Sequence, residues 1–210
     1  MLISPTGPQN LRFSKRAKTE VIRAERKFPG AKSTNNQGFS SFITQGPNNP
    51  VYAAIPPALL LPLIERLQLS ADLHYASFGL GLGMDCFAVA KVFKKVTGYE
   101  IDPKLVAEAE RIKTALGLEN VSFRNQDFLT IPADEMNQFD VVVFFRPFKD
   151  NFFRLMGNKL RELRSGATAI SYAFYHPLLF PSRQFDPLYP TNWNPPEENI
   201  ASEFYVFRRK

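Results

Sequence analysis

LHYASFGLGLGMDCFAVAKVFKKVTGYEID, residues 73–102, decides how this chain reads. An apolar run from His74 to Phe78 enters three glycines at alternate positions, Gly79, Gly81 and Gly83. Residues Cys86 to Val96 follow with helical apolar spacing, and a second apolar run, Thr97 to Ile101, carries Glu100 near its end. Glycine at a strand-to-helix turn brings backbone close to a ligand, because no Cβ intervenes. An acidic side chain about 20 residues further on, at the tip of the next strand, is placed to accept hydrogen bonds from ribose hydroxyls. The segment predicts half of a nucleoside-binding α/β domain.

Outward from it, the same alternation continues. Asp102-Pro103 sets a helix start, with Asp as N-cap and Pro in the first turn, and the helix runs to a C-cap at Gly117. Val121 to Arg124 reads as a third strand and FDVVVFF, residues 139–145, as a fourth. Residues 152–164 read as a helix and 167–175 as a fifth strand. Strands that are apolar throughout and separated by helices indicate a doubly wound, mostly parallel sheet with both faces covered. Residues 177–199, rich in proline and aromatics, break the rhythm. EFYVFRR follows with no helix before it, and such a strand returns antiparallel beside its neighbour.

Upstream, IPPALLLPLIERL has the spacing of a helix beginning at Pro56-Pro57, with Pro62 marking a kink or the true start. Residues 32–50 are rich in Asn, Ser, Gly and Gln, which is linker chemistry. Two regions are therefore expected: a basic leader and linker over residues 1–50, partly disordered, and an α/β domain over 51–210.

Of the chain's 210 residues, 44% are hydrophobic and 22% charged, as in an ordinary globular domain. Its net charge of +6 belongs to residues 1–35, where eight Lys/Arg face two Glu. A basic arm of this kind can steer toward an anionic partner. No apolar run approaches the roughly 20 residues that span a bilayer, and the N-terminus has no signal-like apolar core. One cysteine and two histidines exclude an internal disulfide and disfavour a Cys- or His-based metal site. A reducing, cytoplasmic location is the expectation.

From residue 52 onward the chain resembles the class I, seven-stranded, Rossmann-like S-adenosylmethionine-dependent methyltransferases. FGLGLG (78–83) is similar to the family's glycine-rich first motif and GYEID (98–102) to its second. NQDF (125–128) is similar to the loop after the third strand, and FDVVVFFRPF (139–148) to the fourth strand with its active-site loop. The resemblance implies S-adenosylmethionine as cofactor. It implies cofactor contacts at Phe78, Gly79, Leu80, Gly81, Gly83, Glu100 on the ribose, Ile101, Asp127 on the adenine amine, Phe128 on the adenine ring, and Phe145.

Two departures sharpen the expectation. The family's acidic residue two positions before the first glycine is replaced by Ser77, which removes an anchor near the cofactor's amino-acid end; Asp85 and Asp72 are nearby acids out of register with the motif. Where amino-directed nucleic-acid methyltransferases carry Asn/Asp-Pro-Pro-aromatic, this chain reads Phe145-Arg146-Pro147-Phe148, without a carbonyl-and-amide clamp. The expected acceptor is a protein side-chain amine or a small-molecule nucleophile rather than a nucleic-acid base. A finer similarity to a small group of protein-lysine methyltransferases rests on the proline-containing lead-in at 49–67 and on Trp193-Asn194-Pro195 with Tyr205–Arg208. Acceptor-side candidates are Tyr52, Phe145, Arg146, Phe148 and His176, with Tyr175 and Trp193 beside them. Two other readings stand: a degenerate binding or scaffold protein, favoured by Ser77, and a nicotinamide oxidoreductase. Against the latter, the dinucleotide fingerprint wants Gly or Ala where Met84 stands.

Overall fold

The computed structural model describes residues 55–145, 152–172, 178–189 and 204–210. The leader, Tyr52, Arg146, Phe148, Tyr175, His176 and Trp193 lie outside the described residues. Within them, seven strands form one sheet in the order β3-β2-β1-β4-β5-β7-β6. These are β1 (His74–Phe78), β2 (Lys95–Glu100), β3 (Val121–Asn125), β4 (Val141–Phe145), β5 (Thr168–Tyr172), β6 (Phe185–Tyr189) and β7 (Phe204–Arg209). Strands β1 to β5 pair in parallel, and β7 lies antiparallel between β5 and β6. The doubly wound, mostly parallel sheet with an antiparallel last strand is the architecture expected from the sequence.

Helices α1 (Pro57–Arg66), α2 (Met84–Val89), α3 (Pro103–Leu116), α4 (Ala133–Met136) and α5 (Phe152–Leu160) connect and cover the strands. Alternate residues of each strand serve opposite faces. Val141 and Val143 join a core with Leu60, Phe87, Ala109 and Ile112, on the side of α1, α2 and α3. Val142 and Phe144 join one with Met136, Phe153, Met156 and Leu160, on the side of α4 and α5. This two-sided burial is why the strands read as continuous apolar runs. Asp102 caps α3 by accepting from the Lys104 amide at 2.8 Å, and Gly117 closes it at φ +66°. Pro62 sits inside α1 rather than at its start.

Two elements differ from the sequence reading. The helix expected over 86–96 is the six-residue α2, because β2 begins at Lys95 and the chain must turn first. Asn120 makes that turn tenable: its Nδ2 donates to the Ala90 and Phe93 carbonyls at 2.7 and 2.8 Å. The other difference is β6, in a stretch read as irregular. Pro187 argues against a strand, but β6 is the sheet's outer edge, where a missing N–H costs no ladder bond. Its pairing with β7 slips between Pro187 and Tyr189.

Candidate active site at the carboxyl edge of the sheet

Where the strand order turns back, β1 and β4 diverge to opposite connections, and open α/β sheets bind ligands at that crevice. The glycine turn stands there. Gly79, Gly81 and Gly83 all adopt positive φ, +75°, +57° and +78°, a region closed to most side-chain-bearing residues. The amides of Gly79 and Leu80 both donate to the Tyr99 carbonyl, at 2.9 and 3.0 Å, which ties the turn to β2.

Glu100 completes the tie. Its Oε2 accepts from the Gly81 amide at 3.0 Å, and its Oε1 accepts from the amides of Ile101 and Asp102 at 2.8 and 3.1 Å. Half-buried and anchored by three backbone donors, the carboxylate is held in one orientation at the rim. Carboxylate oxygens have further lone pairs, so ribose hydroxyls can be accommodated. The end of β2 is itself fixed by Asn125, whose Nδ2 donates to the Glu100 and Ile101 carbonyls at 3.0 and 2.9 Å. Asn125 opens the NQDF stretch, yet its role shows only once β2 and β3 are paired.

The other expected cofactor residues divide into those at the rim and those in the core. Ile101 is 63% exposed, the largest exposure among the big apolar side chains of the described residues. An apolar side chain held in water beside the Glu100 carboxylate has the chemistry to pack on the face of an adenine ring. Gly79 is exposed and Phe145 half-buried, both at this edge. Phe78, Leu80 and Phe128, by contrast, place their rings and side chains in the interior. Phe78 and Phe128 stack at 5.0 Å and 5° between planes, and Phe128 also meets Phe152 edge-on at 5.6 Å. Any part these three take in binding goes through backbone or through the shape of the floor. Asp127 is half-exposed and uses one oxygen to cap a short 3-10 turn, accepting from the Leu129 amide at 2.9 Å.

A residue set aside by the sequence motif enters here. Asp85, 4% exposed, faces Ser77 and Tyr75. Its Oδ2 accepts from the Tyr75 hydroxyl at 2.8 Å. Burial raises the Asp85 carboxyl above its ordinary range, against the opposing pull of the polar groups around it. The same burial pushes the Tyr75 phenol and the Cys86 thiol well above theirs, so neither supplies an anionic nucleophile. Asp85, Ser77, Gly79 and Phe145 border a cavity of about 10 Å³, room for one water-sized group. A larger cavity of about 330 Å³ is lined by His74, Lys95, Thr97, Ser122 and Glu135. Since His74 and Lys95 open β1 and β2, it lies toward the amino edge, away from the glycine turn.

Beyond Phe145 the rim is aromatic. Phe145 packs on Tyr172 at 5.3 Å between ring centres, and Tyr172 on Phe204 at 4.9 Å. These rings stand at the carboxyl ends of β4 and β5 and the start of β7. Among the described residues there is no cluster of three or more metal-ligating side chains, and no helix is long and apolar enough to cross a membrane.

This chemistry fits S-adenosylmethionine: a Cβ-free turn, an oriented carboxylate for the ribose, and an exposed aliphatic side chain at the same edge. Residues 70–169 match the family model of a methyltransferase domain. Magnesium protoporphyrin IX methyltransferase from Synechocystis, solved with bound S-adenosylmethionine, aligns at a TM-score of 0.55 with 17% identity, over 73% of this chain and 78% of that one. A Streptococcus mutans protein in complex with S-adenosylhomocysteine aligns at 0.53 with 13% identity, over 71% and 97%. An rRNA methylase from Streptococcus thermophilus aligns at 0.51 with 14% identity, over 68% and 91%. At these identities the likeness is one of fold. Some solved relatives are longer, and the chain spans 54% of one of them. Residues 70–169 thus match a methyltransferase domain, and the sheet order is that of the class I, S-adenosylmethionine-dependent methyltransferase fold.

Proposed function

We propose that this methyltransferase acts on an amine, either a protein side chain such as lysine or a small-molecule nucleophile, rather than on a nucleic-acid base. The observation that carries the reading is the aromatic wall Phe145–Tyr172–Phe204 at the carboxyl edge. When bound, S-adenosylmethionine supplies an electrophilic methyl group on a sulfonium. The chain's own task is then to align, to exclude water and to admit the acceptor unprotonated. Rings without formal charge desolvate an arriving ammonium and lower its pKa, which favours the neutral amine. The sequence Phe145-Arg146-Pro147-Phe148 after β4 supports the same reading, because it offers no side-chain amide to grip the edge of a planar base.

The experiment is transfer of tritiated methyl from S-adenosylmethionine to cell lysate and, separately, to total RNA. Label that is protease-sensitive, or that runs with small molecules, is expected. Label that is RNase-sensitive would overturn the proposal. No label, with no binding of cofactor, would return the chain to a scaffold role on this fold.

A further inference from the structure

Strands β2 and β3 have two unlike faces. Val96, Val121 and Phe123 join the apolar core on the α3 side. Their alternates Lys95, Thr97, Ser122 and Arg124, all polar or charged, line the cavity of about 330 Å³ on the opposite face. A sheet covered by helices on both faces carries apolar residues on both. Here the cover is short: α4 has four residues, about 6 Å of helix, whereas three strands span about 10 Å. What is left is a polar recess with a closed floor. His74 and Thr97 are 8% and 4% exposed. His74 Nε2, Thr97 Oγ1 and Ser122 Oγ form a hydrogen-bonded row across β1, β2 and β3, at 2.9 and 3.3 Å.

We propose that this recess is a second ligand site, separate from the cofactor edge, for the phosphate monoester of a small hydroxylated molecule. Thr97 and Ser122 are register partners, with Lys95 two residues before the one and Arg124 two residues after the other. The two cations therefore flank the row from opposite ends of the strands. Among the described residues neither has an ion-pair or hydrogen-bond partner. Both donate and neither accepts, and two positive charges match the roughly −2 of a phosphate monoester. Two carboxylates share the recess. Glu135 holds the Tyr99 hydroxyl on one oxygen at 2.5 Å, and Asp134 is exposed. Carboxylates only accept, so they suit the hydroxyls of the same ligand and oppose a second anionic group. The volume lies at the lower end of the range for small-molecule sites, about 300–1,000 Å³. A bare phosphate would leave most of it, and both carboxylates, unused.

The probe is ribose 5-phosphate, titrated into the full chain beside ribose and inorganic phosphate. Binding is read by calorimetry and by NMR of the His74 ring, one of two histidines in the chain. Ribose 5-phosphate is expected to shift the His74 resonances at millimolar concentration, and to bind more tightly than either of its parts. Lys95→Gln and Arg124→Gln should each weaken it by about tenfold, the scale of a lost charge-assisted hydrogen bond. Both side chains are exposed, so the melting temperatures of the free variants should hold. Saturating S-adenosylhomocysteine should leave the response in place. A wild-type His74 ring that does not respond to ribose 5-phosphate overturns the proposal, and this arm depends on no variant. Displacement by S-adenosylhomocysteine would overturn it as well, because the probe would then be occupying the cofactor edge. Equal binding of ribose or of inorganic phosphate, or undiminished binding in both variants, would contradict the ligand class.

Discussion

Glu100 and Gly81 meet across the glycine turn, carboxylate to backbone amide at 3.0 Å. Nineteen positions apart in sequence, they join the end of β2 to the loop after β1. The same carboxylate holds the amides of Ile101 and Asp102, so the end of β2 and the glycine turn are tied into one unit. Preorganisation of this kind lowers the entropic cost of binding.

Glu100→Gln keeps the shape and removes the charge. Hydrogen bonds to a charged group are worth about 1.5–3 kcal/mol, so S-adenosylhomocysteine affinity should fall by roughly 10- to 150-fold in calorimetry. Unchanged affinity would refute the ribose role given to this carboxylate.

Ile101→Asn tests the exposed aliphatic side chain beside it. Covering a large part of an isoleucine by an adenine ring contributes roughly 1–2 kcal/mol, so affinity should drop about 5- to 30-fold. The melting temperature of the free protein should hold, since the side chain is 63% exposed. A lower melting temperature with unchanged affinity would contradict this.

Gly157→Ala tests the packing of α5. A Cβ at Gly157 would overlap the Leu178 carbonyl oxygen and lie 3.1 Å from its carbon, both backbone atoms. Relieving such overlap costs about 1–3 kcal/mol, which thermal denaturation would register as a clear drop. An unchanged melting temperature would show that 178–180 moves away freely.

His74 gives stability a pH dependence. Burial, aided by Lys95, lowers its ring from the ordinary 6.5 to about 4. The unfolded chain therefore takes up a proton near pH 6.5 that the folded chain refuses until about pH 4. Stability should fall as pH drops through that window, by about 1.4 kcal/mol per pH unit from this group. His74→Asn should flatten part of that slope in denaturant titrations. Equal slopes for both proteins would contradict it.

Much of the fold was legible because two-sided burial writes strands as unbroken apolar runs, and because Asp102-Pro103 and Gly117 punctuate a helix by their own backbone preferences. The short α2 was not legible: the apolar spacing of Phe87, Ala90 and Phe93 runs on past its end, and only the distant Asn120 shows where the turn comes. Edge strand β6 was hidden by Pro187, which is tolerated there for a tertiary reason. In the site, Glu100 and the glycines followed from local chemistry. Asp85 did not, since its closeness to Ser77 is created by the turn folding back and not by any spacing in the motif.

The central claim is that the edge at Gly79–Gly83 and Glu100 is built for S-adenosylmethionine. Thermal denaturation of the full chain with S-adenosylhomocysteine and, separately, with NADH tests it most directly. At about 100 times its dissociation constant a ligand stabilises by about 2.7 kcal/mol. The account predicts an upward shift with S-adenosylhomocysteine, reduced in Glu100→Gln, and none with NADH. A shift with NADH alone would contradict it.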